Sequence, residues 1–110
     1  MSELTTKHCL PCEGGVAPLD EAKRQSLMKE LNNWQFNKDS DEITREFKFR
    51  NFHQTMAFVN ALAWIAHQEN HHPDLKVAYD HCTVSYSTHA IGGLSDNDFI
   101  CAAKIDVLVT

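Results

Sequence analysis

Residues 51–73 read NFHQTMAFVNALAWIAHQENHHP, and this run decides the fold. Asn51 followed by Gln54 is a variant capping box, so a helix is expected over roughly residues 52–71. Around a helical wheel Phe52, Met56, Val59, Ala63 and Ala66 share one face, and Phe58, Leu62 and Ile65 form a second apolar strip beside it. His53, Asn60, Trp64, His67 and His71 fall on the opposite side. So wide an apolar arc predicts one face against a sheet and part of another against a partner subunit. Pro73 ends the helix and pushes His72 toward extended geometry.

Upstream of this helix, Trp34 to Phe36 alternates like a strand, Asp39-Ser40-Asp41 is a turn signal, and Ile43, Arg45, Phe47 and Phe49 continue a period of two. A hairpin over 34–38 and 42–49 follows, preceded by a helix over roughly 21–32 that Asp20 can cap. Downstream, Leu75 to Tyr79 and Thr83 to Thr88 read as strands, with Val84 and Tyr86 on one face and Thr83, Ser85 and Ser87 on the other. Ile91-Gly92-Gly93-Leu94 is a turn, and Ser95 with Asp98 caps a last helix over roughly 96–107. The order α-β-β-α-β-β-α has two separated hairpins and no regular βα alternation. It predicts an α+β fold with an antiparallel-dominated sheet and helices on one face.

At 110 residues the chain is expected to hold a single domain, 18–110, behind an irregular leader, 1–17, that ends in Glu-Gly-Gly-Val-Ala-Pro. A two-domain dinucleotide enzyme is excluded by length. Hydrophobic residues at 43% and charged residues at 23% place the chain among globular proteins. The net charge of −5, with no basic stripe, argues against nucleic acid as a partner. The Met-Ser-Glu-Leu-Thr-Thr-Lys start has neither a basic nor an apolar targeting region. The longest apolar run, Met56 to Ala66, is too short to span a bilayer, so a soluble cytoplasmic protein with no membrane partner is expected. Cys9-Leu10-Pro11-Cys12 lacks the strand-to-helix setting of a redox motif and the four ligands of a zinc site. It is read as two thiols in a flexible leader.

Five of the seven histidines, His67, His71, His72, His81 and His89, lie within one fifth of the chain. His67 and His71 are one helical turn apart, His72 is redirected by Pro73, and His89 stands where the fourth strand gives way to the Gly-Gly turn. Neutral imidazole accepts a proton and imidazolium donates one near pH 7, so such a cluster suits a reaction needing acid and base together. Plainer readings exist for each residue. His71 or His72 alone could serve a helix dipole, and Asp98 could be only a capping carboxylate. Tyr79 could be core or pocket wall, His81 is read as solvated, and His8 and His53 as surface residues. The rival chemistry is a metal-dependent hydrolase, because His67-x3-His71 has zinc-ligand spacing and His72 or His89 could complete it. Its acid, Glu69, stands one place later than the general base of HExxH.

The run His67-x3-His71-His72-Pro73-x5-Tyr79-x9-His89-x8-Asp98 resembles the signature of pterin-4a-carbinolamine dehydratases. Leu19 and the helix to Trp34, Arg45-x-Phe47-x-Phe49-x-x-Phe52, Ser87-Thr88-His89 and Gly93-Leu94-Ser95-x-x-Asp98 extend the match to roughly residues 18–108. The leader is similar to that of some bacterial members. The resemblance implies a four-stranded antiparallel sheet and a homodimer or homotetramer. It also implies dehydration of 4a-hydroxytetrahydropterin to quinonoid dihydropterin, in service of an aromatic amino acid hydroxylase, with no metal or organic cofactor. Carried over by motif, His71, His72 and His89 are catalytic. Asn70 to His72 and Ser87, Thr88 and His89 bind the pterin, and Pro73, Tyr79 and Asp98 support them. His67 stands where the family often has an acid that would favour protonated His71. Non-enzymatic relatives that act in dimerisation or assembly give a further alternative, although the assembly-factor-like forms tend to lose the histidine set that this chain keeps.

Overall fold

A computed structural model describes residues 3–11 and 17–109. Cys12 and the Gly-Gly pair of the leader lie outside them. Three α-helices and four strands follow in the expected order: α1 (Glu21–Met28), β1 (Gln35–Phe36), β2 (Ile43–Lys48), α2 (Phe52–Glu69), β3 (Asp74–Val77), β4 (His81–Tyr86) and α3 (Asp96–Val107). The sheet is antiparallel throughout, in the order β1-β2-β4-β3. Its inward positions, Ile43, Phe47, Cys82, Val84 and Tyr86, are buried, while Glu46, Lys48 and Lys76 are exposed. This is the α+β architecture read from the sequence. Among the described residues no helix is long and apolar enough to cross a membrane.

Several elements depart from the bounds of their sequence patterns, each for a local reason. The chain after Met28 tightens into bonds from Glu30 N to Leu27 O and from Leu31 N to Met28 O, and Asn33 turns it with a φ of 64°, so α1 stops before residue 32. The Asn37 side chain accepts from the amides of Asp41 and Glu42, which begins the turn early and leaves β1 two residues long. Ala78 N donates to His81 O, so Tyr79 and Asp80 form a turn tip and β4 starts at His81.

The long helix packs on its second apolar strip. Thr55, Phe58, Leu62, Ala66 and Glu69 are buried, whereas Phe52 and Ala63 of the first strip are exposed and Met56 and Val59 are half-buried. Aromatic packing decides this orientation: the Phe58 ring lies 4.6 Å from that of Phe47 and 5.0 Å from that of Phe49. Thr55 fits the same buried seam because its hydroxyl reaches the Tyr79 carbonyl at 2.9 Å.

The leader, expected to be irregular, contains a 3-10 helix at Glu3–Thr6 that packs on α3 and buries Leu4 in the core. Covered by this segment as well as by α2, α3 is buried on nearly every side, from Asn97 through Ala103 and again at Ile105 and Asp106. Asp106 is satisfied inside by Trp34 Nε1 at 2.8 Å, Arg45 Nη1 at 2.7 Å and Asn32 N at 3.0 Å.

Candidate active site

The histidines meet where α2 ends. The helix stops at Glu69, two residues short of the expected boundary. Asn70 takes the left-handed conformation, with φ 51° and ψ 41°. Asn70 N donates to His67 O and His71 N to Ala66 O, the paired bonds of a Schellman motif. This turn takes His71 off the helix, so His67 and His71 do not form a helical His-x3-His pair. The His67 ring instead packs against Trp64, with centroids 5.7 Å apart.

Asn70, His71 and His72 form one wall of a cavity of about 490 Å³. Ser87, Thr88 and His89 form another, and Gln68, Glu69, Ala90, Asn97 and the leader residues Cys9, Leu10 and Pro11 complete it. All six residues that the motif assigns to substrate binding therefore line one space. Pro73 borders an adjoining hollow with His67 and Leu75. Tyr79, expected to support the site, is 66% exposed and does not line the cavity, because the β3–β4 turn lies at the far end of the hairpin, beside Thr55 near the start of α2, while the cavity lies where α2 and β4 end. His81 pairs with Asp80 in the same turn.

His71 is the most constrained of the cluster. Its Nε2 lies 2.7 Å from Oδ1 of Asp98, which is fully buried, and its ring stacks on Tyr86 at 5.3 Å. The Tyr86 hydroxyl donates to the His71 carbonyl at 3.2 Å. Burial by itself would lower the His71 pKa. The hydrogen bond and charge of Asp98 outweigh it, so the imidazole is held above its usual value and carries a proton more readily. With Nε2 committed to Asp98, Nδ1 is the nitrogen left to exchange a proton with a ligand.

Asp98 also caps α3: its Oδ2 accepts from Ser95 N at 3.0 Å and from the Thr88 hydroxyl at 2.8 Å. The Thr88 and Ser95 hydroxyls lie 2.8 Å apart, so the Ser95 proton is free to point at Thr88. Thr88 is further fixed by its amide bond to Gly93 O across the turn in which Gly92 adopts φ 68°. A Cβ at Gly93 would come within 2.9 Å of Pro18, so a glycine is needed there. These contacts tie the His89 wall to the carboxylate that serves the His71 wall. The acid expected near His71, and missing at position 67, is supplied by Asp98 from the third helix.

The described residues bring together no group of three His, Cys, Asp or Glu side chains arranged to hold a metal ion. Glu69, Asn97, Cys9, Leu10 and Pro11 were not singled out as site residues by the sequence. Only the leader's Cys-x-x-Cys drew attention to that segment, Glu69 was noticed only as the misplaced acid of a zinc-site pattern, and Asn97 carries no local signal.

The chain belongs to the pterin 4 alpha carbinolamine dehydratase family, whose sequence profile matches residues 17–108. A Nitrosomonas europaea protein provisionally named pterin-4-alpha-carbinolamine dehydratase is 57% identical over 107 residues, covering 96% of this chain and 93% of the relative. A Legionella pneumophila protein with the same provisional name is 54% identical over 109 residues, or 98% of this chain and 96% of the relative. Among solved structures, a transcriptional coactivator/pterin dehydratase from Brucella melitensis matches with a TM-score of 0.81 at 29% identity, over 84% of this chain and 99% of that one. A pterin dehydratase-like RuBisCO assembly factor of the alpha-carboxysome shares the fold, with a TM-score of 0.61 at 20% identity over 72% of this chain and 92% of that one.

Proposed function

We propose that the protein dehydrates 4a-hydroxytetrahydropterin to quinonoid dihydropterin by histidine acid–base catalysis, recycling the pterin cofactor of an aromatic amino acid hydroxylase. The observation that carries this reading is the His71–Asp98 pair at the wall of a cavity that His72 and His89 share. The C4a–O bond breaks as the hydroxyl takes a proton and leaves as water. N5 loses its proton, and the electron pair of that N–H bond forms the C4a=N5 double bond. His71, held toward its protonated form by Asp98, suits the acid role. His89 takes the second proton transfer, and His72 holds the pterin. The histidines that carry the chemistry all lie within residues 18–110, and no metal takes part.

A dehydration assay with synthetic 4a-hydroxytetrahydropterin tests the proposal. His71→Ala and His89→Ala should each lower the rate by roughly 10²–10⁴-fold, and the double variant by more. His67→Ala should be mild, and prolonged chelation should leave the wild-type rate unchanged. Turnover that tracks bound zinc, with His67→Ala as damaging as His71→Ala, would refute the mechanism.

A further inference from the structure

Residues 8–11 lie outside the part of the chain that matches the family profile, yet three of them line the catalytic cavity. They have no secondary structure of their own, and two buried polar side chains hold them. The Asn97 amide grips both backbone polar groups of Leu10: Leu10 N donates to Oδ1 at 3.0 Å, and Nδ2 donates to Leu10 O at 2.6 Å. Glu69 holds the preceding residues. Its Oε1 accepts from Cys9 N at 2.7 Å, and its Oε2 meets His8 Nδ1 at 2.9 Å and Lys104 Nζ at 3.0 Å. The Cys9 thiol sits 3.5 Å from that of Cys101 on α3. A buried carboxylate is costly unless it is fully partnered, and here two of its three partners are leader residues.

This seat fixes the backbone of a segment that would otherwise be mobile, and it leaves one large apolar side chain in the open. Leu10 is 74% exposed and borders both this cavity, most of whose other lining residues carry polar groups, and a second hollow of about 460 Å³ shared with Leu4, Leu19 and Ile100. A 4a-hydroxytetrahydropterin joins a pyrimidinone ring with a polar edge to a reduced, non-aromatic ring whose carbon atoms offer apolar surface. The polar walls suit the edge, and an aliphatic surface suits the reduced ring or a carbon substituent. We infer that residues 8–11 form a fixed apolar wall of the pterin site, with Leu10 determining how tightly the pterin is held and Asn97 and Glu69 as its positioning residues. The inference rests on the dehydratase reading for the identity of the ligand.

The wall touches the ligand before and during the reaction alike, so it contributes uniform binding, seen in KM and not in kcat. Three full-length variants test this: Leu10→Ala, the volume-conserving Leu10→Met, and Asn97→Ala. The measurements are KM and kcat for 4a-hydroxytetrahydropterin, and Kd for 7,8-dihydrobiopterin, which lacks the 4a-hydroxyl and cannot react. Losing an aliphatic contact of this size should raise KM and Kd about 3–10-fold with kcat within about twofold, and Leu10→Met should stay near wild type. Leu10 is exposed, so its replacement tests the wall even if Asn97→Ala weakens the fold. Unchanged KM and Kd in Leu10→Ala, or a loss confined to kcat, overturns the inference while leaving the dehydratase reading intact. A wild-type protein that binds dihydrobiopterin with Leu10-dependent affinity but does not dehydrate the substrate overturns the dehydratase reading and supports the wall.

Discussion

Asp98 uses its two oxygens for different ends, one capping α3 and the other holding His71. Asp98→Asn should therefore move the His71 titration, followed by the ring resonances in NMR, from above its usual value of 6.5 to below it. Burial, the largest influence on this imidazole, then acts with only the weaker influence of Cys101 to oppose it. An acid catalyst must be protonated, so the alkaline fall of the pH–rate profile should shift to lower pH in the variant. An unshifted profile would separate His71 from the acid role. The same coupling bears on stability. Because the folded-state pKa of His71 is raised, its contribution is complete below about 6.5 and is lost as pH rises through the folded value. Glu69 runs the other way. Burial pushes its carboxyl up, but the Cys9 amide, His8 and Lys104 outweigh burial and hold it at about 2. Its contribution is present above its usual 4.5 and is lost as pH falls toward about 2. Urea midpoints measured through that acid window should decline in the wild type and flatten in Glu69→Gln. An equal decline in both proteins would mean that other carboxylates carry the acid sensitivity.

At the scale of the element, the end of α2 decides what the histidines can do. One residue in the left-handed region turns the chain, and the two bonds of the Schellman motif hold the turn. Asparagine tolerates that conformation, glycine tolerates it at no steric cost, and a residue with an ordinary Cβ does not. Asn70→Gly should leave the urea midpoint nearly unchanged, while Asn70→Ala should cost about 1 kcal/mol. Equal midpoints for the two variants would show that the turn is held by its surroundings and not by residue 70. The segment just after β4 and the Gly92-Gly93 loop do the corresponding work for His89, through the Thr88–Gly93 pairing.

At the scale of the whole molecule, apolar surface is left uncovered on α2 and along one edge of the sheet. Phe52 and Trp64 stand out from α2, 49% and 61% exposed, and Val77 and Tyr79 mark the edge strand β3 and its turn. Large exposed apolar residues beside an unpaired strand edge favour self-association. The protein is expected to be a homodimer or homotetramer, and light scattering after size exclusion checks this. A clean 12.5 kDa monomer at micromolar concentration would refute it.

Local pattern was enough for the fold class. The capping pairs Asn51/Gln54 and Ser95/Asp98, the alternation along Ile43 to Phe47 and Thr83 to Tyr86, and Pro73 each act within a few residues, so each can be read in isolation. The same locality placed His71, His72 and His89 in one motif, and the fold brings them to one cavity. What local pattern could not decide was which side of an ambiguous element faces inward, and which distant groups meet. Two apolar strips on α2 were equally plausible by periodicity, and the Phe47 and Phe49 rings chose between them. The helix end at Glu69, in place of residue 71, separated His67 from His71 and so undid the zinc-like spacing. Asp98 lies 27 positions from His71, Asn97 lies 87 from Leu10, and Glu69 lies 60 from Cys9. A polar residue signals only that it will need a partner once buried. Which partner it finds depends on how α2, α3 and the leader pack, and only the tertiary structure holds that information.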